Sequence, residues 1–153
     1  MENLINLLER KNLCFRSFHK LCADFIEEID KGETANLEQF HRRRQGLIKV
    51  LEQLEFEVTH WLENMRADQD ALENMMTLDE KRKVNRLFSE KDGLVRSILD
   101  LDLQILAHVD RIKDETIKKL QALQAGKKTV GAYRSPLDNI EAAEKPKILD
   151  QEA

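Results

Sequence analysis

Proline is nearly missing from this sequence. Only Pro136 and Pro146 occur, so no ring interrupts a helix anywhere in the first 135 residues. Glycine is also scarce, with five in 153 residues, and aromatic residues make up 5%. That poverty of turn formers and of strand-favouring rings excludes a β sandwich or an α/β sheet. No charge of one sign dominates. The net charge of −4 gives no basic surplus for nucleic acid. No apolar run approaches the ~20 residues that span a bilayer. The opening "MENLINLLERKNLCF" has neither a charged leader with an apolar run nor a small-residue cleavage site, so a cytoplasmic protein is expected. Cys14 and Cys22 are the only cysteines. On one helix their spacing amounts to about 12 Å of rise, beyond the ~7 Å that a disulfide allows. Two reduced, partly buried thiols are expected.

What is present is 41% apolar and 35% charged residues, a balance suited to long amphipathic helices. Leu4, Leu8, Phe15, Phe18, Cys22, Phe25 and Ile29 trace one helix face, with Lys11 laying its stem along it. Gly32 supplies a stop. A second stripe runs from Leu37 through Phe40, Leu47, Leu51, Leu54 and Val58 to Met65, Leu72 and Met76, with Thr34 or Asn36 as its cap. "TLDE" then forms a capping box, Thr77 with Glu80, and opens a third stripe from Val84 to Leu123. Gly46 and Gly93 fall inside helices. They are either tolerated weak spots or, in a sharper reading, points of close backbone approach or a hinge.

The expected fold is all-α: an elongated, coiled-coil-like antiparallel three-helix bundle over residues 1–126, with helices at about 2–31, 36–75 and 78–125. Residues 127–153 are expected to form a flexible partner-binding tail. Within it Ser135, Pro136 and Asp138 open one short helix that needs docking to be ordered.

Catalytic signals are weak. Glu38–His41 and Glu57–His60 both have the Glu-x-x-His spacing of a di-iron site, but they lie on one helix roughly 28 Å apart. His19 and Cys22 share a face without an orienting group or an oxyanion site. No zinc spacing and no phosphate loop occur. We therefore expect no enzyme, no metal, no cofactor, no small-molecule substrate and no nucleic acid partner. Arg42, Arg43 and Arg44 fan across about 200° of a helix and read as a solvated, ion-paired face.

One feature exceeds what a bundle requires. At about 100° per residue, Leu87, Leu94, Leu101, Ile105 and Ile112 lie within about 60° of Ile98 and complete a core stripe. Phe88, Leu99, Leu103 and Leu106 extend the apolar arc towards about 200°, against a usual stripe of little more than 100°. Either this helix lies in the groove between the other two, or Leu99, Leu103 and Leu106 form an open rim for a partner helix.

"LQALQAGKKTVGAYRSP" follows that helix. The Gly126-Lys127-Lys128 run, Ala132-Tyr133 and the layout before them resemble flagellar type III export chaperones of the FlgN type, in a motif covering about a tenth of the chain. FliT-type chaperones share the layout. The resemblance implies a cytosolic, non-enzymatic protein. It would bind amphipathic C-terminal helices of hook–filament junction proteins and deliver them to the membrane protein of the export gate. It also implies that Tyr133 docks at the gate and that Val130, Leu137 and Ile140 help hold the substrate. A tyrosine loses little rotamer entropy on docking; otherwise Tyr133 folds back as a cap on the bundle. The alternative function is a structural coiled-coil adaptor that self-associates, for example as a homodimer, through the wide face.

Overall fold

The computed structural model describes residues 1–32, 36–65 and 68–132, the stretch 128–132 as backbone. It is all-α. Four helices follow in order: α1 (Glu2–Asp30), α2 (Leu37–Asn64), α3 (Gln69–Met75) and α4 (Leu78–Ala132). No strand occurs among the described residues. Contacts divide the chain into two units, Met1–Ala107 and His108–Ala153.

Local chemistry sets most helix ends. At the close of α1, Gly32 takes φ +70°, and its N–H donates to the Ile29 carbonyl at 3.0 Å. A side chain is strained in that left-handed region, so glycine ends the helix cheaply. Asn36 caps α2, its Oδ1 accepting from the Gln39 N–H at 2.9 Å; Thr34 lies outside the described residues. The capping box opens α4: Glu80 N–H donates to Thr77 Oγ1 at 3.2 Å, and Thr77 N–H donates to Glu80 Oε2 at 2.8 Å.

Two helix boundaries differ from the sequence expectation. The expected single helix at 36–75 is two helices, α2 and α3. Asp68 caps α3 by accepting from the Ala71 N–H at 2.7 Å. An Asp side chain competes well for backbone donors, and here Asp68 uses that to open a new helix. The expected stop at Gly126 is absent; α4 continues to Ala132.

In the first unit α2 runs antiparallel to α1. Arg10 pairs with Glu57, Lys11 with Glu55, Cys14 Sγ donates to the Leu47 carbonyl at 3.6 Å, and Phe25 stacks on Phe40. The N-terminal part of α4 runs parallel to α1. Glu9 pairs with Lys83, and buried Asn12 donates to the Leu87 carbonyl at 2.9 Å and to Glu90 Oε2 at 3.2 Å. At one end Leu4, Ile5, Leu8 and Val84 form a core on which Trp61, Leu72 and Met76 close, so α3 serves as a lid to that core.

Gly46 and Gly93 have nothing within 4 Å of an added Cβ and no positive φ. They are weak spots in exposed helix backbone, not points of close approach. Gly46→Ala and Gly93→Ala should each raise the unfolding free energy by about 0.5–1 kcal/mol, whereas Gly32→Ala should lower it by about 1 kcal/mol. Urea titrations of the three variants check the opposite signs.

Candidate functional site

The candidate site is a face of α4, and its shape follows from which residues the first unit buries. Ile98 and Ile105 are buried, and Leu94 and Leu101 are half-buried. These positions recur every three or four residues and turn towards α1 and α2. About 100° around the helix, Leu99, Leu103 and Leu106 remain 57%, 66% and 59% exposed, with Phe88 further along at 45%. The described helices of this chain do not cover them. The spacing of four and then three places the leucines in one row, the format in which a helix offers anchors to another helix.

The row stands on a fixed support. Asp102 lies between Leu99 and Leu103, on the side turned to α1 and α2. Its Oδ2 accepts from Arg44 Nη2 at 2.8 Å, and Arg44 Nη1 makes a second bond to Oδ1. The pair is mostly shielded, with side chains 28% and 19% exposed. The Arg44 guanidinium also lies 5.0 Å from the centroid of the buried Phe18 ring. Cys22 Sγ donates to Asp102 Oδ1 at 3.8 Å. One arginine of α2 thus joins α1 and α4 beneath the row. The sequence expectation for Arg44 is a solvated face shared with Arg42 and Arg43. Arg42 does pair with Glu38 at the surface, at 2.9 Å, but Arg44 does not belong there. The available signal was Asp102 itself, a carboxylate about 40° from Ile98 and so inside the core arc.

Cys22 is fully buried and Cys14 nearly so, and both thiols are free. Burial, and then the Asp102 carboxylate, push the Cys22 thiol up to about 11 from an ordinary 9.0; burial also raises Cys14. The folded state therefore favours the neutral thiol. The linked stability is fully present below pH 9.0, where the unfolded chain is also protonated, and is lost as pH rises from there towards about 11. Urea midpoints should fall between pH 8.5 and 10.5 in the native protein, and the fall should be smaller in Cys22→Ala.

The other candidate residues fill ordinary places. His60 stacks against Phe56 at 5.9 Å, and Glu57 accepts from Gln53 at 3.1 Å. Among the described residues no group of three or more His, Cys, Asp or Glu could hold a metal ion, and no helix is long and apolar enough to cross a membrane. A cleft of about 790 Å³ opens beside the lid helix, lined by Leu4, Leu8, Val58, Leu72 and Phe88 with Lys81 at its rim. The stripe pattern did not reveal it.

The stripe extrapolated beyond Ile105 needs correction. Ile112, Leu120 and Leu123 were expected in the core, but they are exposed members of the second unit. Val130 belongs to α4, and its side chain is outside the described set. Tyr133, Leu137 and Ile140 lie outside the described residues altogether. Compared with protein-family models, curated proteins and solved structures, the chain matches none.

Proposed function

We propose that this protein holds an amphipathic helix of another protein and passes it on, as a cytoplasmic flagellar type III export chaperone does. In this reading α1, α2 and the first part of α4 act as an antiparallel three-helix bundle, and the partner helix adds a fourth. The observation that carries the reading is the exposed row Leu99, Leu103 and Leu106, backed by a packed and ion-paired adjoining side. The partner class, the C-terminal helices of hook–filament junction proteins, comes from the resemblance around Gly126 and Tyr133. The same resemblance gives Tyr133 the contact with the export gate, and Val130, Leu137 and Ile140 a share in holding the cargo.

The energies suit a holding role without ATP. Three leucine anchors contribute about 5–9 kcal/mol when fully buried, before ordering costs. A micromolar complex needs about 8 kcal/mol. Affinity is then moderate, and release can follow docking.

A junction-protein C-terminal peptide tests this by light scattering and calorimetry. A one-to-one complex with the monomer supports the proposal. Leu103→Asp should weaken binding at least tenfold, since one anchor accounts for about 1.5–3 kcal/mol. Because Leu103 is already exposed, its melting temperature should move little. A tight homodimer indifferent to such peptides would support the self-associating coiled-coil adaptor instead.

A further inference from the structure

In the second unit the core-facing side of α4 continues with nothing described against it. Relative to Thr116, at about 100° per residue, Val109, Ile112, Leu120 and Leu123 lie within about 40°, and Ile117 at about 100°. From Ile112 onward every one of these is exposed. Thr116 Oγ1 donates to the Ile112 carbonyl at 2.8 Å, so its hydroxyl is satisfied by its own helix and its methyl is left to the face.

The charges around this row are sorted. Lys113 and Lys119 lie about 60° to either side, and Lys127 about 20° from the centre. Glu115, Asp110 and Asp114 lie about 100–160° away, on the back with Lys118 and Arg111. From His108 to Lys127 there are five basic and three acidic residues, an excess of +2 in a chain whose net charge is −4. An apolar row bordered by lysines, with its acids behind, is the pattern of a helix that lies in a membrane interface.

We infer that residues 109–127 of α4 bind the surface of an anionic lipid bilayer, lying in its interface without crossing it. The lysines decide between a bilayer and a helix partner. A helix–helix seam would bury the Lys113 and Lys127 ammonium groups against apolar side chains, which is costly without acidic partners. In a bilayer interface their stems follow the apolar face while the charges reach headgroup phosphates. A second copy of the same face would bring like charges together. The inference stands apart from the leucine row in the first unit. For a protein that delivers cargo to a membrane-embedded gate, it would provide a reversible first encounter.

The test is co-sedimentation of the full-length protein with vesicles of phosphatidylcholine alone and of phosphatidylcholine with one-third phosphatidylglycerol. Binding should be confined to the anionic vesicles and weaken steeply with salt. Each lysine near an anionic surface strengthens binding roughly fivefold, so K113Q/K119Q/K127Q should lower the partition coefficient by about a hundredfold. Leu120→Asp should abolish sedimentation, and Leu103→Asp should leave it unchanged, with helicity by circular dichroism preserved in every variant. Absence of binding to anionic vesicles, equal binding to neutral ones, or full binding by the triple variant would overturn the inference. So would a homodimer in solution that Leu120→Asp dissociates, since the face would then belong to a second copy. Peptide capture is measured separately, so failure here leaves the chaperone reading standing.

Discussion

Phe25→Ala is expected to lower the unfolding free energy by about 3–5 kcal/mol, the range for truncating a buried phenylalanine. Phe25 is 5% exposed, and its ring stacks on Phe40 with centroids 4.2 Å apart and planes 16° from parallel. This pair joins α1 and α2 close to their connection, where Gly32 turns the chain. Truncation removes the apolar burial, the ring contact and the side chain's volume together. The surrounding helices can close such a gap only in part. Phe40→Leu retains most of the volume and should cost clearly less. Urea denaturation of both variants, read as changes in midpoint at constant slope, checks the order. Equal losses would indicate that the ring contact, which both variants remove, dominates there and that the lost volume adds nothing.

Asp102→Ala should cost about 2–4 kcal/mol, and more than the loss of an exposed ion pair, which is worth about 0–1 kcal/mol. The reason is the charge left behind. Arg44 is largely shielded, and without Asp102 its guanidinium loses the carboxylate that satisfies two of its donors. Removing one member of a shielded pair leaves an uncompensated cation, whereas replacing both members by apolar groups of similar size removes the problem. The double variant Arg44→Met with Asp102→Leu should therefore be more stable than Asp102→Ala alone. The cycle of single and double variants measures the coupling. A negligible coupling energy would mean that the pair holds nothing in place beneath the leucine row.

The parts of the fold legible in the sequence were those fixed by short-range hydrogen bonding. Gly32, Asn36 and the Thr77–Glu80 box each determine a helix end through groups within four residues, and all three ends lie where that chemistry puts them. The Asp68 cap was legible by the same rule, but the continuing stripe from Met65 to Leu72 masked it. Burial was less accessible, because it depends on partners far along the chain. Ile112, Leu120 and Leu123 keep the period of a core, yet α1 and α2, at 29 and 28 residues, are only long enough to match about the first thirty residues of α4. Periodicity identifies a face and says nothing about whether something lies against it. Asn12 gives the converse case. It occupies the core position four residues after Leu8 and is buried because Leu87 and Glu90 of α4 accept its amide protons, partners that no local pattern reveals.

The excess width of the apolar arc on α4 was visible as soon as the helix was laid out by angle. The sequence left two outcomes open, a helix sunk between two others and a helix with an open rim. The first unit leaves Leu99, Leu103 and Leu106 exposed. The reason is geometric: α1 and α2 take the side of α4 that carries Ile98 and Ile105, and Arg44 fixes that orientation by holding Asp102. A row about 100° away cannot face the same neighbours.

The central claim is that this row seats a foreign helix. Methyl resonances of the leucines report it most directly, followed while a junction-protein C-terminal peptide is titrated into the full-length protein. The account predicts saturable shifts at Leu99, Leu103 and Leu106 with a micromolar midpoint, and small changes at the buried Leu4, Leu8 and Leu54. Saturation of binding with those three methyl signals unmoved, or an absence of binding altogether, would contradict it.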